Sequence, residues 1–489
     1  MAKASTHACC PTRPEEVKDS RFDLIVVGGG SAAFAAAIKA DELNAKVAVI
    51  EHQVIGGTCL NRGCVPSKYL IRIAELYQQA KQSPMPGITT KEVRLDWAKV
   101  MAQKEQLLEE GRKAKYWDIL EAHPRITYLE GPAEFVSNAE LKVNGTVLKA
   151  PKFIIATGAS PSLPPIEGLL QVNYLTSTEA LGLKTLPNSM LILGANAVGL
   201  EFAQAFAHLG VKVTVHEIAG RITPYEEPEI SEALAKHLKE EGVEICTCSR
   251  VVKTRQERNQ IVVTAQMPDE TQREFTAETL LVATGRRPNT QGLGLEKAGV
   301  TLTKRGGIQV DDEMKTTAPN IWAAGDCVDC ACPSQFVYVA AAQGAVAAQN
   351  AIDDCCHRKA DYSVIPRAIF TTPEVASVGL TEAQAKEQAL KVKTSLLDFH
   401  WVPRAWLSGE TAGLIKMVAG EGAGTLLGVH LFCPHAGELI HEATLAIKQR
   451  LRVQDLIDTF HVYPTLSEAM RICAQGFFKD ATKLSCCAE

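Results

Sequence analysis

One pattern occurs twice in this chain and leaves little freedom for its fold. The apolar run 22–27 meets Gly28-Gly29-Gly30-Ser31-Ala32-Ala33, then an alanine-rich helical stretch, then 46–50 and Glu51. Further on, 189–193 meets Gly194-Ala195-Asn196-Ala197-Val198-Gly199, and a second strand pattern, 213–216, ends in Glu217. Gly28 to Glu51 and Gly194 to Glu217 span the same 23 residues. A glycine turn between strand and helix lets the backbone approach a pyrophosphate, the helix N-terminus offers free amides and a positive dipole, and the acid ending the next strand accepts ribose hydroxyls. A single glycine motif is weak evidence, but strand, turn, helix, strand and acid in this order, twice, are specific. Gly28, Gly30 and Ala33 hold the three small positions of the first turn, and Gly194 and Gly199 the outer two of the second. Asn196 replaces the middle glycine there and crowds the pyrophosphate approach.

The expected fold class is therefore α/β, with two Rossmann-like dinucleotide-binding domains and a C-terminal α+β domain. At ~150 residues per domain, 489 residues allow about three. Residues 1–20 are polar, carry Pro11, Pro14, Cys9 and Cys10, and read as a tail. The first nucleotide domain is placed at 21–160, with a polar helical stretch over about 91–122, and the second at 161–285. A short echo, Ala156-Thr157-Gly158 against Ala283-Thr284-Gly285, marks corresponding places in the two. Residues 286–355 return to the first domain, and alternating strands and helices without glycine turns form a third over 360–489.

A net charge of −5 gives no basic field for a phosphate backbone, so nucleic acid is not expected as a partner. No apolar run reaches about 18 residues and the N-terminal stretch lacks the apolar core of a secretion signal, so the expected location is the cytoplasm, without a membrane partner. In that setting most of the 15 cysteines are expected as thiols.

Two of them stand apart. The segment Gly56-Gly57-Thr58-Cys59-Leu60-Asn61-Arg62-Gly63-Cys64-Val65-Pro66-Ser67-Lys68 places Cys59 and Cys64 five positions apart, just beyond the first βαβ unit. At a helix start that spacing brings two sulfurs towards one face, where the dipole favours thiolate. The bland alternative, two buried inert thiols, is the usual fate of free cysteine. The flanking residues speak against it, because the segment resembles the active-site stretch of the pyridine nucleotide–disulfide oxidoreductases, a likeness that runs from about residue 21 to the end.

The resemblance implies FAD at the first site, with Gly28, Gly30, Ala33, Glu51, Gly57, Thr58, Thr157, Gly158 and Asp326 of Ala324-Gly325-Asp326 against it. It implies NADPH or NADH at the second, with Gly194, Gly199, Glu217 and Gly285. Glu217 suits a free ribose 2′-OH unless Arg221 compensates, and the choice between the two nucleotides stays open. Lys68 and Glu201 match the family's ion pair beside flavin and nicotinamide. Cys64 becomes the thiol nearer the flavin and Cys59 the interchange thiol. The third domain becomes a dimerisation domain, and the molecule a homodimer with its active site across the subunit boundary.

Within the family, disulfide-reducing members carry a histidine whose imidazole manages the interchange thiol's proton. This chain reads His461-Val462-Tyr463-Pro464-Thr465, with tyrosine at that place, and a phenol of pKa ~10 is a poor base at neutral pH. Pro464-Thr465 and Glu468 fix the register against His461. The chain ends Cys486-Cys487-Ala488-Glu489, and adjacent cysteines are strained as a disulfide but suit a soft metal ion. Tyr463, Tyr116 and the terminal pair resemble the branch of the family that reduces Hg(II), delivered as a thiol complex. By that resemblance Cys59, Cys64, Cys486 and Cys487 are the metal thiols, and Tyr116 and Tyr463 line the site. The alternatives are a dihydrolipoyl dehydrogenase or related disulfide reductase, and a non-enzymatic thiol protein that buffers soft metals. Cys327, Cys330 and Cys332 read as surface-loop thiols rather than a zinc site, Cys246 with Cys248 lies in an apparent strand, and Cys355-Cys356 beside His357 carries no assigned role.

Overall fold

The computed structural model describes residues 22–83, 85, 87–330, 335–422, 424–480 and 483. Cys9, Cys10, Cys332, Cys486 and Cys487 lie outside the described residues. The chain forms two compact units, one of residues 1–67, 101–162 and 285–361, the other of 68–100, 163–284 and 362–489.

The first unit is organised on a five-stranded parallel sheet in the order Ile321–Ala323, Lys152–Ile155, Leu24–Val27, Val47–Glu51, Ile126–Glu130. Leu24–Val27 is central and wholly buried, which is why it reads as a continuous apolar run rather than an alternating one. It feeds the glycine turn and the helix Ser31–Glu42. That helix is built of alanines because it crosses the helix Val337–Ile352 at close range. A Cβ on Gly344 would lie 2.1 Å from the carbonyl oxygen of Ala32. Ala33, the third small position of the turn, is fully buried. A three-stranded antiparallel sheet, Ala133–Ser137, Glu140–Val143 and Thr146–Lys149, completes the unit.

The second unit repeats the arrangement. Its parallel sheet runs Glu244–Cys246, Lys212–His216, Ser189–Leu193, Thr279–Val282, Tyr174–Leu175, again with the strand that feeds the turn in the middle. The strands Arg250–Glu257, Gln260–Gln266 and Gln272–Ala277 form an antiparallel meander. The C-terminal part is an antiparallel sheet, Arg367–Ile369, Glu374–Gly379, Leu426–Cys433, Leu414–Gly420, Val392–Asp398, with helices Ala436–Lys448 and Glu468–Gln475 packed in its core. This is the expected α/β class with an α+β C-terminal part.

A buried charge cluster lies in this unit. Lys416 is 3% exposed and its Nζ lies 3.0, 2.8 and 2.9 Å from carboxylates of Glu227, Glu229 and Glu382. Burial works against the ammonium, but the three carboxylates outweigh it and its pKa is raised. Such a cluster specifies one packing arrangement more than it adds net stability.

Three expectations change. The helical stretch 91–122 begins at Trp97 and is three pieces, Trp97–Arg112, a π turn Lys113–Trp117, and Asp118–Ala122. Cys327 is not a surface thiol: it is fully buried, with Sγ 3.3 Å from the Ala324 carbonyl and 3.5 Å from that of Ile155, and burial pushes it up to about 11. Cys246 closes its strand, but Cys248 lies beyond it at φ +51. Among the described residues no cluster of three or more His, Cys, Asp or Glu is arranged to hold a metal, and no helix is long and apolar enough to cross a membrane.

Candidate active site

The cradle at the first turn demands glycine at two points, Gly28 and Gly57. Gly28 has φ +124, and a Cβ there would lie 2.2 Å from the Ala156 carbonyl oxygen. Gly57, at φ +61, sits so close to Gly30 that a Cβ on it would lie 2.6 Å from the Gly30 Cα. The helix Ser31–Glu42 has no side-chain cap, so its first amides are left to a ligand. Glu51 fixes the turn from the side: its Oε2 accepts from the Gly29 N–H (2.8 Å) and its Oε1 from the Gln53 N–H (2.8 Å).

The second turn has the same geometry. Gly194 (φ +103) faces the Ala283 carbonyl as Gly28 faces that of Ala156, and a Cβ on Gly199 would lie 1.9 Å from the Gly194 oxygen. Glu217 Oε2 accepts from the Ala195 N–H (2.7 Å), and its Oε1 from Ala219 (2.9 Å). This explains the Ala-Thr-Gly echo, since each alanine carbonyl closes over the first glycine of its turn. Asn196 has φ −108 and ψ −172, near the −95 and −167 of Gly30, so no left-handed backbone requires glycine there. Its side chain instead accepts from the Ala197 N–H (2.9 Å), capping the helix itself. Arg221, the candidate for a 2′-phosphate, donates to the carbonyls of Pro224 and Glu226. The observed cradles, uncapped or lightly capped helix starts and paired acids fit a dinucleotide at each site.

The cysteine segment departs from the expected single helix start. Cys59 is the third residue of a short helix, Gly57–Arg62, and Cys64 is the first residue of the next, Cys64–Lys81, with Gly63 between them. Cys59 is half-buried and Cys64 exposed. Asn61 braces the segment by donating to the carbonyls of Ile55 and Gly57, both at 3.0 Å. Tyr116, on the π turn, donates its phenol to the Gly56 carbonyl (3.3 Å) and sets its ring edge-on to Phe34 at 4.7 Å. Burial holds that phenol above its ordinary pKa, opposed by a hydrogen bond with Ser31, and the charge of Cys59 adds to the rise. Thr58 is half-buried beside them.

Asp326 follows the left-handed Gly325 (φ +80), whose N–H donates to Gln343 (2.8 Å). A cleft of about 410 Å³ is lined by Arg286, Gly325, Asp326 and Gln343, among others. Burial raises the Asp326 carboxyl against the pull of Arg286, whose guanidinium lies 3.9 Å away. Arg286 escaped the sequence reading, although it directly follows Gly285. Burial draws its pKa down, while the charges of Asp326 and Cys64 pull it back up. Thr157 donates to the Asn289 carbonyl (2.6 Å), and Gly158 and Gly285 are left-handed at φ +68 and +114.

In the second unit Lys68 Nζ donates to Glu201 Oε2 (2.8 Å) and stands 4.6 Å from the Phe370 ring centroid. Glu201 Oε1 accepts from the Phe370 N–H (2.9 Å). Three residues further along the helix, Gln204 accepts from the Thr372 N–H (2.7 Å) and donates to the Thr372 carbonyl and to Glu241 Oε2 (2.7 Å). Helix Ala197–His208 thus straps the backbone of 370–372 at two points. Gln204 was also missed, though its spacing of three from Glu201 puts both on one helix face. Tyr463 is exposed, in a stretch where Phe460 and Val462 are more so. His461 is engaged at both ring nitrogens, Nε2 with Glu442 (2.9 Å) and Nδ1 with the Thr459 carbonyl (3.0 Å), and the Glu442 hydrogen bond raises its pKa.

Comparison with known proteins agrees with this architecture. Residues 22–351 match the model of the pyridine nucleotide-disulphide oxidoreductases, and 365–473 match that family's dimerisation domain. The chain is 42% identical over 474 residues to the mercuric reductase of Lysinibacillus sphaericus, covering 96% of this chain and 85% of that one. It is 43% identical to the mercuric reductase of Streptomyces lividans, covering 96% and 98%. Among solved structures, the HOCl-induced flavoprotein disulfide reductase RclA of Escherichia coli superposes with a TM-score of 0.84 at 30% identity, covering 93% and 99%. The chain therefore belongs to the pyridine nucleotide-disulphide oxidoreductase family.

Proposed function

We propose that this protein reduces Hg(II), presented as a thiol complex, to elemental mercury at the expense of NADPH or NADH. The reduced nicotinamide nucleotide, when bound, would supply the two electrons and FAD would relay them. Gly28, Gly30, Ala33, Glu51, Gly57, Thr58, Thr157, Gly158 and Asp326 would hold the first, and Gly194, Gly199, Glu217 and Gly285 the second. Lys68, paired with Glu201 and steadied by Phe370, places a cation where it would favour negative charge on a bound flavin.

Cys59 and Cys64 take the metal by exchanging their thiolates for the small-thiol ligands. Two metal–sulfur bonds break as two form, so the ion is never released to water. Arg286 stands within electrostatic reach of Cys64. Tyr116, held on the Gly56 carbonyl, keeps a polar oxygen beside Cys59. Two electrons then convert bound Hg(II) to Hg(0), leaving NAD(P)+ and a proton. Cys486 and Cys487 are assigned to delivery of the ion to the inner pair, across the boundary of a homodimer built on the dimerisation domain. We place the reaction in the cytoplasm, where reduced nicotinamide nucleotides are made.

The observation that carries this reading over disulfide reduction is at the C-terminal segment. By the resemblance Tyr463 stands in for the family's imidazole base, and the nearby His461 has both nitrogens engaged with Glu442 and Thr459. Without that base the interchange thiol lacks a proton acceptor matched to neutral pH. A metal ion needs none, because thiol-to-metal exchange does not leave a proton on the catalytic sulfur. The test is anaerobic NADPH or NADH oxidation by the holoprotein with Hg(II) in excess thiol, against lipoamide and glutathione disulfide, with release of mercury vapour recorded. Mercury-dependent oxidation that disappears in Cys64→Ser supports the proposal. Rapid disulfide turnover without mercury release would overturn it.

A further inference from the structure

Outside the site described, two adjacent cysteines among the described residues are both exposed, Cys248 being a further exposed thiol with no cysteine next to it. Free cysteine is among the most buried residue types, and Cys327, Cys433 and Cys473 obey this, all being fully buried. Cys355 and Cys356 do not. They are adjacent, both exposed, and stand in the loop that follows the helix Val337–Ile352.

Their backbone is tied on both sides. Asp353 Oδ1 accepts from the N–H of Cys355 (2.9 Å) and of Cys356 (3.2 Å). Just beyond, Asn350 accepts from the Arg358 N–H (2.7 Å) and donates to its carbonyl (2.7 Å). His357 Nδ1 lies 2.9 Å from Glu313 Oε2, and Lys359 pairs with Asp312 at 2.7 Å. The two thiols are thus presented from a braced turn, beside the carboxylates of Asp353 and Asp354.

The chemistry of adjacent cysteines is selective. Closing a disulfide needs Cβ atoms about 3.8 Å apart and a fixed torsion, which adjacent residues reach only with strain. A metal ion inserted between the sulfurs adds two bonds of roughly 2.3 Å, so the sulfurs need not approach to bonding distance. Two thiolates satisfy a soft, two-coordinate d10 cation, which needs no third ligand.

We propose that Cys355 and Cys356 form a second, surface-exposed capture site for a soft thiophilic cation, Hg(II) being the probe. Loading is ligand exchange. The two protein thiols displace two small thiolates, two metal–sulfur bonds break and two form, and the thiol protons leave on the displaced ligands without electron transfer. The site stores metal on the protein surface and does not require that the protein reduce it.

The test uses the full-length FAD holoprotein, reduced and desalted anaerobically, without nicotinamide nucleotide. Hg(II) is added with a modest excess of cysteine, the protein is gel-filtered, and retained mercury per chain is measured for the parent, for Cys355→Ser with Cys356→Ser, and for each single change. A Cys486→Ser, Cys487→Ser background removes the terminal pair as a competitor. The expected result is one equivalent fewer in the double variant, and the same loss in either single one, because a chelate needs both sulfurs. An unchanged flavin spectrum certifies the fold of each variant. Equal retention by parent and double variant, or independent half-losses in the singles, would overturn the site. NAD(P)H oxidation with Hg(II) in excess thiol, run on the same samples, reports separately on the reductase reading.

Discussion

Replacing Glu241 by Gln tests a network that the fold builds from three separate elements. Glu241 Oε1 lies 3.0 Å from His208 Nε2 and 3.3 Å from His237 Nε2, and its Oε2 accepts from Gln204. His237 also reaches the Thr372 carbonyl at 3.0 Å, so the group anchors the strap beside Lys68 and Glu201. Burial alone would raise the Glu241 carboxyl, but the hydrogen bonds from His208, His237 and Gln204 outweigh it and hold it at about 2, against an ordinary 4.5. That difference corresponds to roughly 3 kcal/mol of folding stability with the carboxylate ionised. Water reaches a fifth of the side chain, so a loss of about 1–3 kcal/mol is expected of the variant at neutral pH. The carboxyl is held low, so its contribution is complete above pH 4.5 and fades as pH falls towards 2. Burial lowers the His237 imidazole, yet its bonds to Glu241 win and its pKa is raised above 6.5. Its share is therefore complete below pH 6.5 and is lost as pH climbs through the raised value. Scanning calorimetry of parent and variant holoproteins over pH 3–9 should give the widest gap in melting temperature between about pH 4.5 and 6.5, narrowing on both sides. A gap that is absent, or constant across that range, refutes the reasoning.

The second turn offers a sharper functional cut. Gly199→Ala places a methyl 1.9 Å from the Gly194 carbonyl and should abolish nicotinamide-driven turnover while the protein still purifies with full flavin absorbance. Nucleotide choice can be read at Glu217. With its carboxylate at the ribose end of the strand and Arg221 committed to its own loop, the parent should favour NADH over NADPH in kcat/KM. Glu217→Ala should shift that ratio towards NADPH by about tenfold or more, the order of one like-charge contact at intermediate dielectric. An unchanged ratio would place the discriminating contact elsewhere.

The two glycine turns were legible because their constraint is local: a left-handed φ at Gly28 and Gly194 and an acid 23 residues on leave a signature in consecutive residues. At Asn196 the departure from the glycine pattern is one of side-chain bulk near the pyrophosphate, not of backbone. Its extended backbone, the same as that of Gly30, is one any residue adopts. The Ala-Thr-Gly echo was visible as a repeat, but its purpose was not, since it depends on a neighbouring strand laying a carbonyl over the glycine. The single helix start imagined for Cys59 and Cys64 failed at Gly63, where the chain ends one helix and begins another.

By itself, then, the sequence determined the fold class, the two dinucleotide turns and the segment bearing the cysteines, because each is encoded in short-range backbone preference and hydrophobic period. Only the tertiary structure decided which charges meet. Lys68 with Glu201 lie 133 positions apart, Gln204 with Thr372 lie 168 apart, and Lys416 is buried among three carboxylates. It also decided that Cys327 is sealed inside while Cys355 and Cys356 face water. A cysteine carries no local mark of its depth; burial is set by what the rest of the chain packs over it, and with burial comes the pKa that separates an inert thiol from a reactive one.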